Sequence, residues 1–149
     1  EKARGFQEMI LQPQSDIYEF RRFLREQGLQ ITDERIICED GKYYFPMKVV
    51  WKCGQAEGGN SYISGANDIK EDLTKELGDR FGALLLKRRD PVLYEYLSKS
   101  LTSREKIAEG LAAEKGEKAK KAQKKISTEM EYLKKAMEMF GGVNVYIND

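Results

Sequence analysis

The spacing of apolar residues along this chain changes from strand-like to helical and back before settling into long helices. Met9, Ile10 and Leu11 are consecutive and are closed off by Pro13. A short apolar run ended by proline predicts a buried strand over residues 7–12. Helical spacing follows, with Ile17, Phe20, Phe23 and Leu24 on one face and Arg21, Arg22 and Arg25 largely off it. Ser15 or Asp16 is placed to cap this helix with a side-chain oxygen, and Gly28 to end it in a left-handed C-cap. A strand-to-helix turn of this kind belongs at the carboxyl edge of an α/β sheet, where ligands bind.

Leu29, Gln30 and Ile31 resume an extended pattern, and residues 35–38 form the next predicted strand. Asp40-Gly41 between apolar runs is a strong hairpin signal. The return strand is expected over 43–52, with Val49, Val50 and Trp51 as β formers. Pro46 has no N–H to give to a ladder, so it implies a bulge or a locally unpaired position. Residues 54–65 are rich in Gly, Ser and Asn and read as a linker. Gly58-Gly59-Asn60-Ser61 lacks both the Lys-Ser/Thr of a P-loop and the spacing of a dinucleotide fingerprint.

From Asn67 onward the pattern is helical. A helix over 68–77 is expected to stop at Gly78, followed by an apolar knot over 81–86. Asp90 before Pro91 is a good N-cap with proline at the first helical position. The helix it opens carries Leu93, Leu97, Leu101, Ile107 and Leu111. Gly116 marks a turn. In the last helix Ala119, Ala122, Ile126, Met130, Leu133, Met137 and Phe140 alternate in steps of three and four, the seam of a coiled coil. Two such helices joined by a short turn should pair as an antiparallel hairpin. Gly141-Gly142 ends it, and Val143, Val145 and Ile147 give a strand-like tail. The expected division is an α/β part over 1–53, a linker over 54–66, a helical coiled-coil domain over 67–142 and the tail over 143–149.

Charged residues make up 34% of the 149 residues at a net charge of +1, a balance that suits solvated helices better than a large core. The lysines are unevenly placed: Lys115, Lys118, Lys120, Lys121, Lys124 and Lys125 crowd together, whereas 71–76 is acidic. Cys38 and Cys53 are the only cysteines. With no secretory segment, they read as inert thiols of a reduced, cytoplasmic protein. No apolar run reaches the roughly 20 residues of a membrane helix. The chain contains no His, which removes the commonest general base and metal ligand, and no metal site is expected. Residue 1 is Glu, and nothing precedes the first strand to make the rest of a sheet. The expectation is a piece of a larger protein whose remainder holds the cofactor site.

Several segments occur in a telling order. Met9-Ile10-Leu11-Gln12-Pro13 comes first, then the helix with Arg22-Phe23-Leu24, then Glu39-Asp40-Gly41-Lys42-Tyr43-Tyr44. Phe81-Gly82 leads into Lys87 and a long helical hairpin. In that order and spacing the chain resembles, over roughly residues 6–140, the C-terminal half of the bacterial TrmK-type tRNA adenine-N1 methyltransferases. The resemblance implies a partial class I methyltransferase sheet with strand order 5-7-6, followed by an antiparallel coiled-coil hairpin that engages tRNA. It implies S-adenosylmethionine as cofactor of the complete protein. The glycine-rich cofactor loop and the acidic ribose-binding residue are absent here, so no cofactor site is expected in this segment.

Gln12 and Pro13 end the first strand on the side where cofactor and target base would meet, so Gln12 is expected to shape the adenine pocket and Pro13 to fix the turn. Asp16 is the only nearby carboxylate and is expected to cap a helix; no general base can be assigned. The lysine cluster 115–125 and a second basic patch of Lys87, Arg88 and Arg89 are the expected RNA contacts, since Lys and Arg on phosphates supply most non-specific nucleic-acid affinity. Tyr43, Tyr44 and Trp51 could stack on bases or serve as cross-strand partners. The alternatives are a non-enzymatic RNA-binding module and a helical interaction protein recruiting a coiled coil through Ile126, Leu133 and Phe140. An unpaired edge on the first strand, or the helical seam, would favour dimerisation.

Overall fold

The computed structural model describes residues 7–51 and 66–141, with the side chains of 66–70 outside that description. The expected linker over 54–65 and the strand-like tail over 143–149 lie outside the described residues. The chain forms two compact units, Glu1–Arg88 and Arg89–Asp149.

The first unit contains β1 (Glu8–Leu11), α1 (Ile17–Glu26), β2 (Leu29–Glu34), β3 (Ile37–Glu39), β4 (Lys42–Tyr44), β5 (Met47–Trp51), α2 (Ala66–Phe81) and α3 (Ala83–Arg88). Its main sheet has the order β1-β5-β2. β5 runs antiparallel to both neighbours, with Leu11 opposite Met47 and Glu34 also opposite Met47. β1 and β2 are therefore parallel to each other, joined by α1, and the return strand is inserted between them. Met9, Leu11, Leu29, Ile31, Met47 and Val49 share one face; Met47 and Val49 are fully buried, with Leu24 of α1 and Leu85 of α3 also in the core. On the other face Ile10 is 77% exposed, and Lys48 reaches Glu8 at 2.7 Å. β1 is thus apolar on both faces, a pattern suited to a strand covered on both sides.

Two local irregularities shape this sheet. The register slips between Ile31 and Asp33, so Thr32 is the extra residue of a bulge and Glu34, rather than Asp33, turns to the inner face. The return strand expected over 43–52 is instead two pieces, because Pro46 has no N–H to donate. The Arg35 N–H donates to the Pro46 carbonyl at 3.0 Å, and beyond that point β3 and β4 form their own two-stranded sheet. Asp40 (φ 50°) and Gly41 (φ 75°) both take the left-handed conformation that a two-residue type I′ hairpin turn requires.

α1 departs from its expected face. Phe23 is 52% exposed, whereas Arg21 is buried beside Leu24. Residues 17, 21 and 24 lie four and three apart, so Arg21 is on the stripe rather than off it. Asp16 stands at the N-cap position but makes no side-chain cap hydrogen bond. Its left-handed backbone, φ 50° and ψ 42°, is not the extended conformation of a capping residue. α2 also runs on through Gly78 to Phe81. A Cβ at Gly78 would lie 3.1 Å from that of Ala83, so this glycine lets α3 fold back closely instead of ending the helix. The break falls at Gly82, φ +96°. The expected boundary grouped these helices with the helical domain; their contacts with α1 and β2 place them with the sheet.

The second unit is α4 (Pro91–Ala112) and α5 (Glu117–Glu138). Contacts pair Tyr94 with Phe140, Arg104 with Glu129 and the Leu111 carbonyl with Gln123. One series rises as the other falls, so the helices are antiparallel. Leu93, Leu97, Ala119, Leu133, Ala136 and Phe140 are buried, whereas Ile107 is exposed. After Leu101 the inward positions are Arg104, Ala108 and Leu111, which displaces Ile107 from the seam. Leu133 and Phe140 are taken up within the hairpin, with Ile126 half-buried, so this seam is not free to recruit another coiled coil. Asp90 caps α4, its Oδ1 accepting from the Val92 N–H at 3.0 Å and the Leu93 N–H at 3.4 Å. Asp90→Ala is expected to destabilise this unit by about 1 kcal/mol, read as a lowered urea midpoint with an unchanged m value.

Candidate RNA interface and carboxyl edge

Leu11 is the last paired residue of β1, so Gln12 and Pro13 leave the sheet at its carboxyl edge. Gln12 is exposed and Pro13 half-buried; the Gln12 carbonyl accepts from Gln14 Nε2 at 3.5 Å. The first turn of α1 follows directly. There Tyr18 donates its hydroxyl to the Glu76 carboxylate of α2 at 3.0 Å, and Arg80 pairs with the same carboxylate at 2.7 Å while stacking 4.5 Å from the Tyr18 ring centre. Burial, then the hydrogen bond to Glu76, push the Tyr18 phenol up. Of the carboxylates described near this turn, Asp16 is exposed and makes no cap hydrogen bond, whereas Glu76 is committed to Tyr18 and Arg80.

Beneath this edge lies a buried ion pair that the sequence pattern did not disclose. Arg21 Nη2 and Glu34 Oε2 are 3.1 Å apart, with side chains 2% and 1% exposed. Arg21 also donates to the Asp79 and Arg80 carbonyls of α2, at 3.4 and 3.2 Å, and stacks over the Phe45 ring. The other Glu34 oxygen accepts the Leu84 N–H of α3 at 2.9 Å. A Cβ at Gly82 would come within 2.7 Å of the same carboxylate, so glycine makes room for it. Arg25 adds a 2.7 Å contact to Asp79, which holds the Arg25 guanidinium charged above its usual range through that hydrogen bond. α1, β2, α2 and α3 are thereby tied together by charge. An approximately 780 Å³ groove runs above this floor between Leu24, Leu29, Ile31 and Leu84; Gln12 and Pro13 are not among its walls.

The expected RNA contacts divide in two. Arg88 is engaged inside the first unit: it pairs with Asp33 at 3.0 Å and donates to the Glu34 carbonyl. The hydrogen bond from Arg88 is the main reason the Asp33 carboxyl lies below its usual range. Lys87 and Arg89 are exposed, Arg89 with a left-handed backbone. In the second unit Lys115, Lys118, Lys120, Lys121, Lys124 and Lys125 are all exposed. Five of them lie within 118–125 of α5, spread around the faces that Ala119, Ala122 and Ile126 leave exposed. Glu114 and Glu117 are the only acids in 114–125. The one ion pair shown there, Lys120 with Glu117 at 3.4 Å, is fully in water and correspondingly weak. Further along α5 the charges balance, as Lys135 is held by Glu131, whose hydrogen bond raises its pKa. Among the described residues no three metal-ligating side chains converge, and no helix is long and apolar enough to cross a membrane.

Residues 1–135 match the family model described as tRNA (adenine(22)-N(1))-methyltransferase, TrmK. The chain belongs to the TrmK family. Bacillus subtilis TrmK, an m1A22 tRNA methyltransferase, is similar in structure with TM-score 0.66 and 25% identity over 90% of this chain and 53% of that one. Mycoplasma capricolum TrmK bound to S-adenosyl-homocysteine is similar in fold, with TM-score 0.63 and 15% identity over 92% of this chain and 51% of that one. A Listeria monocytogenes protein of uncharacterised function reaches TM-score 0.73 at 16% identity, covering 91% of this chain and 53% of its own. The present TrmK-family chain spans about half the length of these solved structures. No curated protein sequence matches it.

Proposed function

We propose that this chain is the C-terminal part of an S-adenosylmethionine-dependent tRNA adenine-N1 methyltransferase of the cytoplasm, supplying the far side of the catalytic sheet and a helical arm that engages tRNA. β1 carries the proposal. It has apolar residues on both faces, Ile10 standing 77% exposed, and its edge away from β5 has no partner among the described residues. A strand of that kind fits a larger sheet, in which β1, β5 and β2 would be strands five, seven and six. Sheet and helix from the rest of such a protein would cover Ile10 and pair the open edge; without them, the edge favours self-association between copies.

The residues present do not fit S-adenosylmethionine on their own. The turn after β1 is Gln12-Pro13-Gln14-Ser15-Asp16, without the glycines that allow close backbone approach to such a cofactor. The role left to Gln12 and Pro13 is positioning: the proline fixes the turn, and the exposed amide borders the place where an adenine would be held. The α5 lysines and the exposed Lys87 and Arg89 supply the electrostatic attraction to tRNA phosphates, with Arg88 acting mainly within the fold.

The test is a filter assay with tritiated S-adenosylmethionine and an unmodified tRNA transcript carrying adenine 22. The chain alone should bind the transcript and incorporate no label. Label above the no-protein control would show that the chain is catalytically sufficient. Absence of any transcript binding would remove the RNA-engaging role.

A further inference from the structure

The register of the main sheet fixes where the small β3–β4 hairpin stands. β1 ends upward at Leu11 and β2 at Glu34, both opposite Met47. Residues 37–44 therefore continue past the carboxyl edge, and the next position in register with Gln12 is Pro46, where the hairpin begins. Asp40 of the turn is six residue steps beyond Glu34, so at about 3.3 Å per residue the hairpin reaches up to roughly 20 Å beyond the edge. Its base is anchored, with Ile36 and Phe45 buried. Ile37 is 50% exposed and faces the half-exposed Tyr44 across the strands, with Glu39 and Lys42 next along the same face.

We propose that this face, Ile37 with Tyr44, is a specificity-determining surface that holds an unstacked nucleotide base of the substrate RNA beside Gln12. The inference rests on the tRNA-modifying function proposed above. Charge selects the occupant. Glu39 and Asp40 outnumber Lys42 at the tip, so the hairpin is not built to track the RNA backbone as the α5 lysines are. An aliphatic side chain next to a phenol ring suits the flat, uncharged face of a base. Methylation at an adenine ring nitrogen requires that base to leave its helical stack, and a wall beside the strand end supports it once it has done so. The carboxylates of Glu39 and Asp40 can accept from exocyclic amino groups but not from phosphate oxygens, which adds discrimination among bases.

Two measurements test this on the chain itself, with an unmodified tRNA transcript carrying adenine 22 as the probe. Affinity is measured by fluorescence anisotropy from 50 to 200 mM salt. Tyr44→Ala and Ile37→Ser should each weaken binding about ten-fold by the same factor at every salt concentration, and Tyr44→Phe should restore it. Lysine substitutions in α5 should instead change the salt slope. The second measurement keeps Ile37 and Tyr44 intact. Cys38 pairs with Tyr43 on the opposite face of the hairpin, so in a Cys38→Ser, Cys53→Ser background Lys42→Cys, on the same face as Tyr44, carries a benzophenone, whose RNA crosslinks are mapped by primer extension. Crosslinks within a few nucleotides of adenine 22 support the proposal. Unchanged affinity in both hairpin variants, or crosslinks absent or confined to distant nucleotides, overturns it. If the lysine variants still weaken binding, the tRNA-engaging function stands without this surface; if they too have no effect, that function fails as well.

Discussion

Glu34→Ala should lower the stability of the first unit by about 3–5 kcal/mol, the cost of leaving one member of a buried ion pair without its partner. The side chains of Arg21 and Glu34 are almost wholly removed from water, and the alanine would strand the guanidinium and also the Leu84 N–H that Glu34 accepts. The expected readout is a chemical-denaturation midpoint that falls sharply for the sheet-containing unit, while the α4–α5 signal keeps its own midpoint. Arg21→Met alone should cost a comparable amount. The double variant Arg21→Met with Glu34→Gln should recover part of the loss, because neither charge is then buried. A Glu34→Ala protein within about 1 kcal/mol of the parent, on the scale of an exposed pair, would show that the pair carries no such weight.

Replacing Lys120, Lys121, Lys124 and Lys125 together by alanine should reduce the slope of log K against log salt for tRNA binding by about three, at roughly 0.7–0.9 per phosphate contact. All four are exposed on one end of α5, and acids nearby are few. Lys135→Ala provides the comparison. Its ammonium is already paired with Glu131, so its removal should leave the slope unchanged. Equal slopes for the four-lysine variant and the parent would exclude these side chains from the RNA contact. Helicity by circular dichroism should be unaffected or slightly raised, since alanine is the better helix former.

What the sequence disclosed and what it withheld have separate physical causes. The strand before Pro13, the Asp40-Gly41 turn, the Asp90 cap and the two long helices were legible because each depends on neighbours within a few residues. The Arg21–Glu34 pair was not. An apolar-stripe count passes over a charged residue, although the spacing of Ile17, Arg21 and Leu24 places Arg21 on the stripe. Glu34 faces inward only because Thr32 forms a bulge, and nothing in Leu29-Gln30-Ile31-Thr32-Asp33-Glu34 signals one. Gly78 and Gly82 show the same limit. Gly78 looks like the helix stop but is a close helix–helix approach, whereas the break falls at Gly82, which also leaves space for the Glu34 carboxylate, and only the fold tells them apart. At the edge, Gln12 and Pro13 were legible as a strand end, whereas the exit of the 37–44 segment from that same edge depends on the registers of β1 and β2 on β5. Arg88 was legible as a charge but not as one held by Asp33.

The pairing of Glu8 with Val50 has a consequence for synthesis. β1 leaves the ribosome before β5, and the partner of Glu8 follows about forty residues later. At about 5–20 residues per second, the β5-facing edge of β1 waits roughly 2–8 s unpaired. During that interval the place of β5 is open to a wrong strand, and faster elongation through residues 12–50 would shorten its exposure.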